Sequence, residues 1–410
     1  MPYSKAGRGF APDRHESCIV TNGVRAESEH PRTEQIVDSA FLSSGMALAP
    51  HADSQPTPPA TQPRHVRPAG GNPLRRVDKP VLSLTSRVLN NEGPQHLANK
   101  RKPSWLKAKL PGGPGYEKVK AIMDEHGLFT VCQEAGCPNM GECWARGVAT
   151  IMILGDTCTR ACGFCNVKTG RPPVLDKDEP RRVAESLRLM HEQAKLKHVV
   201  ITSVNRDELA DGGAGIWAET IMRGREACPG MSLEVLIPDF EGNWAALQMV
   251  IDAQPHIINH NLECVRRMYP AVRPSAKFDR SLELLRRVKE QGGVAKTGIM
   301  VGIGEKDEEV LTLFDDVLEG TRAKGPDGTE DACDILTIGQ YLQPTRNHLP
   351  IDRWVHPDTF AMYKEEGLKR GFKVVESGPL VRSSYHADHQ ADVLSTIEAE
   401  RAKRNHATTS

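Results

Sequence analysis

From residue 148 onward the chain repeats one pattern: a short apolar run, a polar punctuation, then a longer segment with helical hydrophobic spacing. The apolar runs fall at 150–154, 198–203, 233–237, 256–259, 295–301 and 333–338. Helical segments fall at 179–195, 216–227, 242–251, 278–291 and 308–318. Strands that run the same way need a crossover between them, so six such units predict a parallel sheet with helices outside it. Right-handed crossovers curl the sheet. The expected fold is therefore α/β, a partial (β/α)6 barrel of the TIM type, with N-terminal and C-terminal extensions that cap the barrel mouth. An open doubly wound sheet is the competing architecture. Polar residues favour the barrel, because they gather just after the strands: Thr202, Ser203, Asn205, Arg206 and Asp207; Asp239; Asn259, His260 and Asn261; Gly302, Gly304 and Glu305; Gln340. Barrels build their sites from these strand ends, although ordinary turn chemistry explains any one of them equally well.

Residues 1–100 have a different character. The stretch 49–72 is rich in Pro, Ala, His, Thr and Gln and poor in large aliphatic side chains, a composition that cannot repay the entropy of ordering. It is expected to be a flexible tail. A mitochondrial transit peptide is the alternative, but such peptides are poor in acids. Here Asp13, Glu16, Glu27, Glu29, Glu34 and Asp38 come early, so a cytoplasmic location is expected. Order is expected from about 101, anchored by Trp105, Leu106 and Leu110, with a short helix at 116–125 and a Gly/Pro-punctuated loop at 131–144. The expected divisions are 1–100 tail, 101–147 N-terminal extension, 148–376 barrel and 377–410 C-terminal segment.

Charge excludes some function classes. Lys+Arg and Asp+Glu both number 53, which gives no bulk attraction to nucleic acid or anionic lipid. No apolar run is long enough to cross a bilayer. With 39% hydrophobic and 26% charged residues, a soluble chain with a packed core is expected, with neither nucleic acid nor membrane among its partners.

Ten cysteines lie at 18, 132, 137, 143, 158, 162, 165, 228, 264 and 333, six of them between 132 and 165. A disulfide scaffold would be short and cysteine-dense throughout. Clustered thiols in a long chain point instead to metal in a reducing compartment. The sharper cluster is Cys158-Thr-Arg-Ala-Cys162-Gly-Phe-Cys165, directly after the first barrel strand. Three thiolates from one loop hold three irons of a 4Fe–4S cluster and leave the fourth iron open. An open metal position is what activates a small molecule. Half a zinc site is the bland alternative, disfavoured because no fourth Cys or His lies nearby. The earlier triplet, Cys132-Gln-Glu-Ala-Gly-Cys137-Pro-Asn-Met-Gly-Glu-Cys143, supplies three more thiolates. Six exceed what one cubane takes, so two sites are expected, with a structural zinc loop as the alternative for the first. Cys18, Cys228, Cys264 and Cys333 read as incidental or core residues. His198 and His256, at strand starts, read as core or surface residues, and the charges at 181–182 and 306–309 read as solvated helix faces.

At 158–165, with Phe164 before the last cysteine, the sequence resembles the radical S-adenosylmethionine superfamily. The stretch Gly298-Ile-Met300-Val-Gly302-Ile-Gly-Glu305 resembles that superfamily's glycine-rich adenine-contacting strand. The two triplets together with Arg382-Ser383-Ser384-Tyr385 resemble the lipoyl synthase family, from Arg101 to about Val393. The stretches Thr202-Ser-Val-Asn205-Arg206-Asp207-Glu208 and Asp211-Gly-Gly213 add to the likeness. This resemblance implies two 4Fe–4S clusters and S-adenosyl-L-methionine as cofactors. Cys158, Cys162 and Cys165 would hold the radical cluster. Cys132, Cys137 and Cys143 would hold an auxiliary cluster that gives up its sulfur, with Ser384 on its fourth iron and Ser383 the fallback. A serine ligand is a poor match to iron and suits a site that comes apart; the bland reading of the motif is a turn or helix cap. Arg382 and Tyr385 would orient the serine or shield the site. Asn205, Arg206, Glu234, Asn261, Gly302 and Glu305 are the candidates for contacting S-adenosylmethionine or substrate.

The implied reaction inserts two sulfurs, at C6 and C8, into an octanoyl chain in amide linkage to a lysine, each hydrogen being taken by a 5′-deoxyadenosyl radical. Implied partners are octanoylated lipoyl carrier domains (acyltransferase subunits of 2-oxo acid dehydrogenases and the glycine cleavage H protein), a low-potential donor of flavodoxin or ferredoxin type, and an iron–sulfur cluster carrier. The alternatives are another sulfur-inserting radical enzyme, of biotin synthase or methylthiotransferase type, and a non-catalytic iron–sulfur or zinc protein.

Overall fold

The computed structural model describes residues 102–107, 112–126, 129–130, 137, 139–385, 387 and 390. The expected tail at 1–100, and with it Cys18, as well as Leu110 and Cys132, lie outside the described residues.

An N-terminal extension comes first: helix α1 (Pro114–Glu125), strand β1 (Phe129–Thr130) and helix α2 (Met140–Ala145). The barrel then runs β2 (Val148–Ile153), β3 (Thr157–Cys158), β4 (Lys168–Thr169), α3 (Glu179–Ala194), β5 (His198–Ser203) and α4 (Ala214–Ala227). It continues with β6 (Ser232–Leu236), α5 (Trp244–Asp252), β7 (Ile257–Asn259), α6 (Tyr269–Val272), α7 (Phe278–Glu290) and β8 (Ala295–Val301). Last come α8 (Asp307–Gly320), β9 (Ala323–Lys324), β10 (Glu330–Asp331), β11 (Ile335–Gln340), α9 (Pro357–Arg370) and β12 (Val374–Gly378).

The main sheet has the order β1-β2-β5-β6-β7-β8-β11-β12. All of its pairs are parallel except β1 with β2, which pair antiparallel with Phe129 opposite Met152. Among the described residues no pairing joins β12 back to β1 or β2, so the α/β barrel is partial, as expected. Among the described residues the main sheet has seven strands paired in parallel where the sequence pattern announces six. The addition is β12, whose run of large apolar residues stops after Val374 and Val375 and which crosses the expected border between 376 and 377. The sixth expected strand also starts later than 333. Cys333 and Asp334 precede the ladder, the Asp334 N–H donating to Ala295 O at 2.9 Å before β11 begins.

Burial explains the elements. All six residues of β2 are buried, as befits a strand covered on both faces. α7 buries Phe278, Ser281, Leu282, Leu284, Leu285 and Val288 on one stripe, and α8 buries Val310, Leu313, Phe314, Val317 and Leu318. Cys228, Cys264 and Cys333 are core residues. The barrel interior also holds charge: Lys296 of β8 meets Glu234 of β6 at 2.9 Å, and Asn259 of the intervening β7 donates to the same carboxylate at 3.0 Å. All three are fully buried. The expected loop at 131–144 is partly helical instead. α2 forms because Trp144 is buried and stacks on Tyr116 with ring centroids 5.0 Å apart, a tertiary contact that local punctuation does not reveal.

Candidate active site at the barrel mouth

The chain leaves β2 through a left-handed turn at Leu154 (φ 67°) and Gly155 (φ 93°). The Leu154 N–H donates to the Glu179 carboxylate at 2.7 Å, which anchors the turn to α3. The short parallel pair β3–β4 closes the loop that carries Cys158, Cys162 and Cys165. Cys158 is buried, and the other two are half-buried. The Cys158 Sγ accepts from the backbone N–H groups of Asn205 (3.3 Å) and Arg160 (3.4 Å) and from Asn205 Nδ2 (3.7 Å).

Segments after β5, β6, β7 and β11 hold this loop across the mouth. Gly163 donates its N–H to Val272 O at 2.8 Å and accepts from Leu349 N–H at 3.1 Å. His348 Nε2 lies 2.9 Å from Cys165 O. A side chain at Gly163 would strike Leu349 Cδ1 at 2.9 Å, so glycine is needed for this close approach. Arg160, inside the triplet, is buried. It donates to both oxygens of Asp207 at 2.8 Å and meets Asp239 at 2.7 Å. Asp239 is also held by Arg280 at 2.7 Å. Burial opposes the Asp239 charge, yet Arg160, with help from Arg280, keeps its carboxyl well below the usual range.

The electrostatics fit a cluster. Burial, reinforced by neighbouring Cys165 and Cys158 and partly offset by Arg273, pushes the Cys162 thiol up to about 12. Three crowded sulfurs give up their protons readily only to a cationic group bound among them. Among the described residues no three metal-binding side chains converge on a point that would take one ion. A cubane instead takes each thiolate on a different iron. Around the triplet, Ser203 Oγ, Asn205 Oδ1 and Asn261 Oδ1 are buried without protein partners, acceptors suited to the ammonium and hydroxyl donors of S-adenosylmethionine. On β8 a Cβ at Gly298 would meet Thr337 Oγ1 at 2.5 Å and Asn261 Oδ1 at 2.8 Å, so only a bare backbone fits beneath the mouth.

The six candidate contact residues divide into two groups. Asn205 and Asn261 keep a buried side-chain oxygen without a protein partner, and Gly302 packs against Gln340 and the Arg353 carbonyl. Arg206, Glu234 and Glu305 are bonded to protein partners. Arg206 donates to Glu208 (2.5 Å), Leu154 O (3.0 Å) and Pro173 O (2.9 Å), clamping the turn after β2. Glu234 is held by Lys296 and Asn259. Glu305 accepts from the N–H groups of Gly302, Ile303 and Gly304 at 2.7, 3.0 and 3.2 Å and from Arg353 at 3.1 Å, bracing the loop after β8. Sequence reasoning missed Arg160, Arg273 and His348. Arg160 reads as a spacer within its triplet, whereas His348, in the loop after the last expected strand, carried a usable signal.

The C-terminal motif folds back onto the same mouth. Beyond β12, Leu380 O accepts from Asn139 Nδ2 at 2.5 Å, and the carbonyl of Val381 passes so close over Gly339 that a Cβ there would overlap it. Arg382 lies in the electrostatic field of Cys137. The Ser383 hydroxyl accepts from Asn261 Nδ2 at 2.8 Å, and Ser384 is half-buried in the same turn. The Tyr385 hydroxyl donates to Glu142 Oε1 at 3.3 Å, and burial together with Glu142 and Cys143 pushes its phenol up. Residues 382–385 thus bridge the end of β7 to α2, which carries the buried Cys143.

Two family models match in order along the chain: the N-terminal domain of lipoyl synthase of the radical SAM family over residues 84–137, and the radical SAM superfamily over 152–317. The first begins ahead of Arg101, so the likeness reaches further toward the N-terminus than the motifs imply. Lipoyl synthase of Rubrobacter xylanophilus is 54% identical over 293 residues, covering 71% of this chain and 87% of that one. The enzyme of Parabacteroides distasonis is 53% identical over 294 residues, covering 72% and 98%. Lipoyl synthase, mitochondrial, of Nematostella vectensis is 49% identical over 288 residues, covering 70% and 94%. Among the described residues no helix is long and apolar enough to cross a membrane. With both models in sequence and about half of all residues shared across most of these relatives' length, the chain belongs to the lipoyl synthase family of the radical S-adenosylmethionine superfamily.

Proposed function

We propose that this enzyme replaces one hydrogen at C6 and one at C8 of a protein-bound octanoyl-lysine with sulfur, and that two separate cysteine triplets divide the work. The observation that carries this reading is the return of residues 382–385 to the mouth, where they join Asn261 at the radical triplet's side to Cys137, Glu142 and Cys143. A reduced 4Fe–4S cluster with bound S-adenosylmethionine supplies a carbon radical able to take hydrogen from an unactivated chain.

The protein's own residues supply geometry and dryness. Cys158, Cys162 and Cys165 hold that cluster, with the Asn205 amides oriented on the Cys158 sulfur. Asn205, Ser203 and Asn261 present acceptors for S-adenosylmethionine. Arg160, Asp207 and Asp239 keep the cysteine loop from shifting when substrate enters. Cys132, Cys137 and Cys143 hold the sulfur-donating cluster. Ser384 is its fourth ligand, a choice supported by the engagement of the Ser383 hydroxyl with Asn261.

The substrates are octanoylated carrier domains, namely acyltransferase subunits of 2-oxo acid dehydrogenases and the glycine cleavage H protein. A flavodoxin- or ferredoxin-type donor provides electrons, and a cluster carrier rebuilds the donor site. The acids at 13–38 support a cytoplasmic place of work. The match of residues 84–137 to a domain specific to lipoyl synthases favours this reading over biotin synthase or methylthiotransferase chemistry.

The test is anaerobic: protein reconstituted with iron and sulfide, a low-potential reductant, S-adenosylmethionine and an octanoyl-lysine peptide, followed by mass spectrometry. A gain of two sulfurs and loss of two hydrogens is expected. 5′-Deoxyadenosine without a change in the peptide would overturn the substrate assignment.

A further inference from the structure

Arg273 is a guanidinium buried at the floor of the cysteine loop with no carboxylate bonded to it among the described residues. Its placement is geometric. The neighbouring Val272 accepts the N–H of Gly163, the residue after Cys162, at 2.8 Å. The Arg273 side chain lies over the Tyr269 ring at 5.5 Å and donates through one terminal nitrogen to Asn261 O. Its Nε is buried without a partner. Cys162 and Glu263 both lie within its field, and burial raises the Glu263 carboxyl, with Arg273 and Asn261 partly offsetting it. An arginine does not lose its proton inside a protein. A fixed positive charge is thus held in a low-dielectric pocket beside one of the three thiols, and screening there is weak.

Resting on the assignment of a cluster to Cys158, Cys162 and Cys165, we infer that Arg273 is a positioning residue that sets that cluster's reduction potential. One-electron reduction adds one negative charge to the cluster, the electron coming from an external low-potential donor, with no bond made or broken. A nearby buried cation stabilises the more negative, reduced form and so raises the potential toward what a biological donor can reach. The same guanidinium fixes the carbonyl of Asn261, whose side chain holds Ser383, so the charge is placed by the element that also carries the C-terminal motif.

The experiment is a mediated dithionite titration, followed by electron paramagnetic resonance, of the full chain. It is done in a Cys137→Ala/Cys143→Ala background so that only the radical cluster loads. Arg273→Gln and Arg273→Met remove the charge, Met needing no buried hydrogen-bond partner, and Arg273→Lys keeps it. Each neutral variant that loads iron should show about a tenfold lower reduced-to-oxidised ratio at fixed solution potential, equivalent to a midpoint about 59 mV more negative. The Lys variant should stay near the parent. A neutral variant with the parent's midpoint, or a Lys variant shifted as far as the neutral ones, overturns the inference. An unchanged midpoint with weakened S-adenosylmethionine binding also overturns it and assigns the guanidinium to the ligand. A parent that loads no 4Fe–4S cluster at all would sink the underlying cluster assignment instead, a failure visible in its iron content and spectrum before any variant is compared.

Discussion

At Cys158 two backbone amides and one side-chain amide converge on a single sulfur, while Cys143 is buried on a helix beside Tyr385. These different settings lead to opposite expectations for substitution. Cys137→Ala should spare reductive cleavage of S-adenosylmethionine and abolish sulfur transfer, whereas Cys162→Ala should abolish both, as read from 5′-deoxyadenosine and thiolated peptide in one assay. A Cys137→Ala protein that still makes product would remove the donor assignment. His260 offers a test through pH. It is buried between Ile237 O (2.8 Å) and Ser281 Oγ (3.0 Å). Burial, aided by Arg273, lowers its pKa to about 4. An unfolded histidine takes its proton near 6.5. Between about pH 6.5 and 4 the unfolded chain therefore binds a proton that the folded chain refuses. The stability contribution is full above that window and falls through it as pH drops, by about 3 kcal/mol. Urea midpoints measured across this range should lose most of that slope in His260→Gln.

Among the elements, β5 and β8 form over the residues their largely apolar runs announce, 198–203 and 295–301, because strands covered on both faces favour apolar residues, and the buried Lys296 of β8 is tolerated through its pairing with Glu234. β12 and α2 were not legible. β12 offers few large apolar residues and is recruited by pairing with β11. α2 follows Pro138 and Asn139 and includes Gly141, residues that locally favour a turn. The loop after β8 is an element-scale device. Gly302 takes φ 88° there, and a Cβ would overlap both Gln340 and the Arg353 carbonyl, while Glu305 gathers three successive amides. Gly302→Ala should cost on the order of 2 kcal/mol or more through strain and overlap. It should also weaken S-adenosylmethionine binding. Thermal melts and equilibrium dialysis would check the two effects, and a stable variant with parental affinity would show that the loop is not held as described.

Across the whole molecule, the enzyme joins parts far apart in the chain: the radical triplet at 158–165, the Arg273 and His348 loops, and the motif at 382–385. A chain ended after Leu380 keeps β12 and the residues bonded to the radical loop, namely Asn205, Asp207, Asp239, Val272, His348 and Leu349. It should retain 5′-deoxyadenosine formation while sulfur insertion falls below detection. If the truncated chain still thiolates the octanoyl peptide, the return of the C-terminal segment is not part of the donor site.

The sequence alone determined the parts whose cause is local. Strand and helix periodicity follows from burial on one face or two, and the cysteine spacings follow from what a cluster can reach within one loop. The sequence could not determine which protein partners the charged groups near the strand ends would find. Arg206, Glu234 and Glu305 follow strands or lie on them just as Asn205 and Asn261 do, yet they are bonded to Leu154, Lys296 and the Gly302 loop. Arg160, Arg273 and His348, unremarkable in sequence, hold the cysteine loop or charge its floor. A side chain's role depends on which partners the fold brings within hydrogen-bonding distance. Most of those partners lie tens to hundreds of residues away (Glu305, bonded to the amides just before it, is the exception), so the curled sheet, which brings its strand ends together around one mouth, decided them.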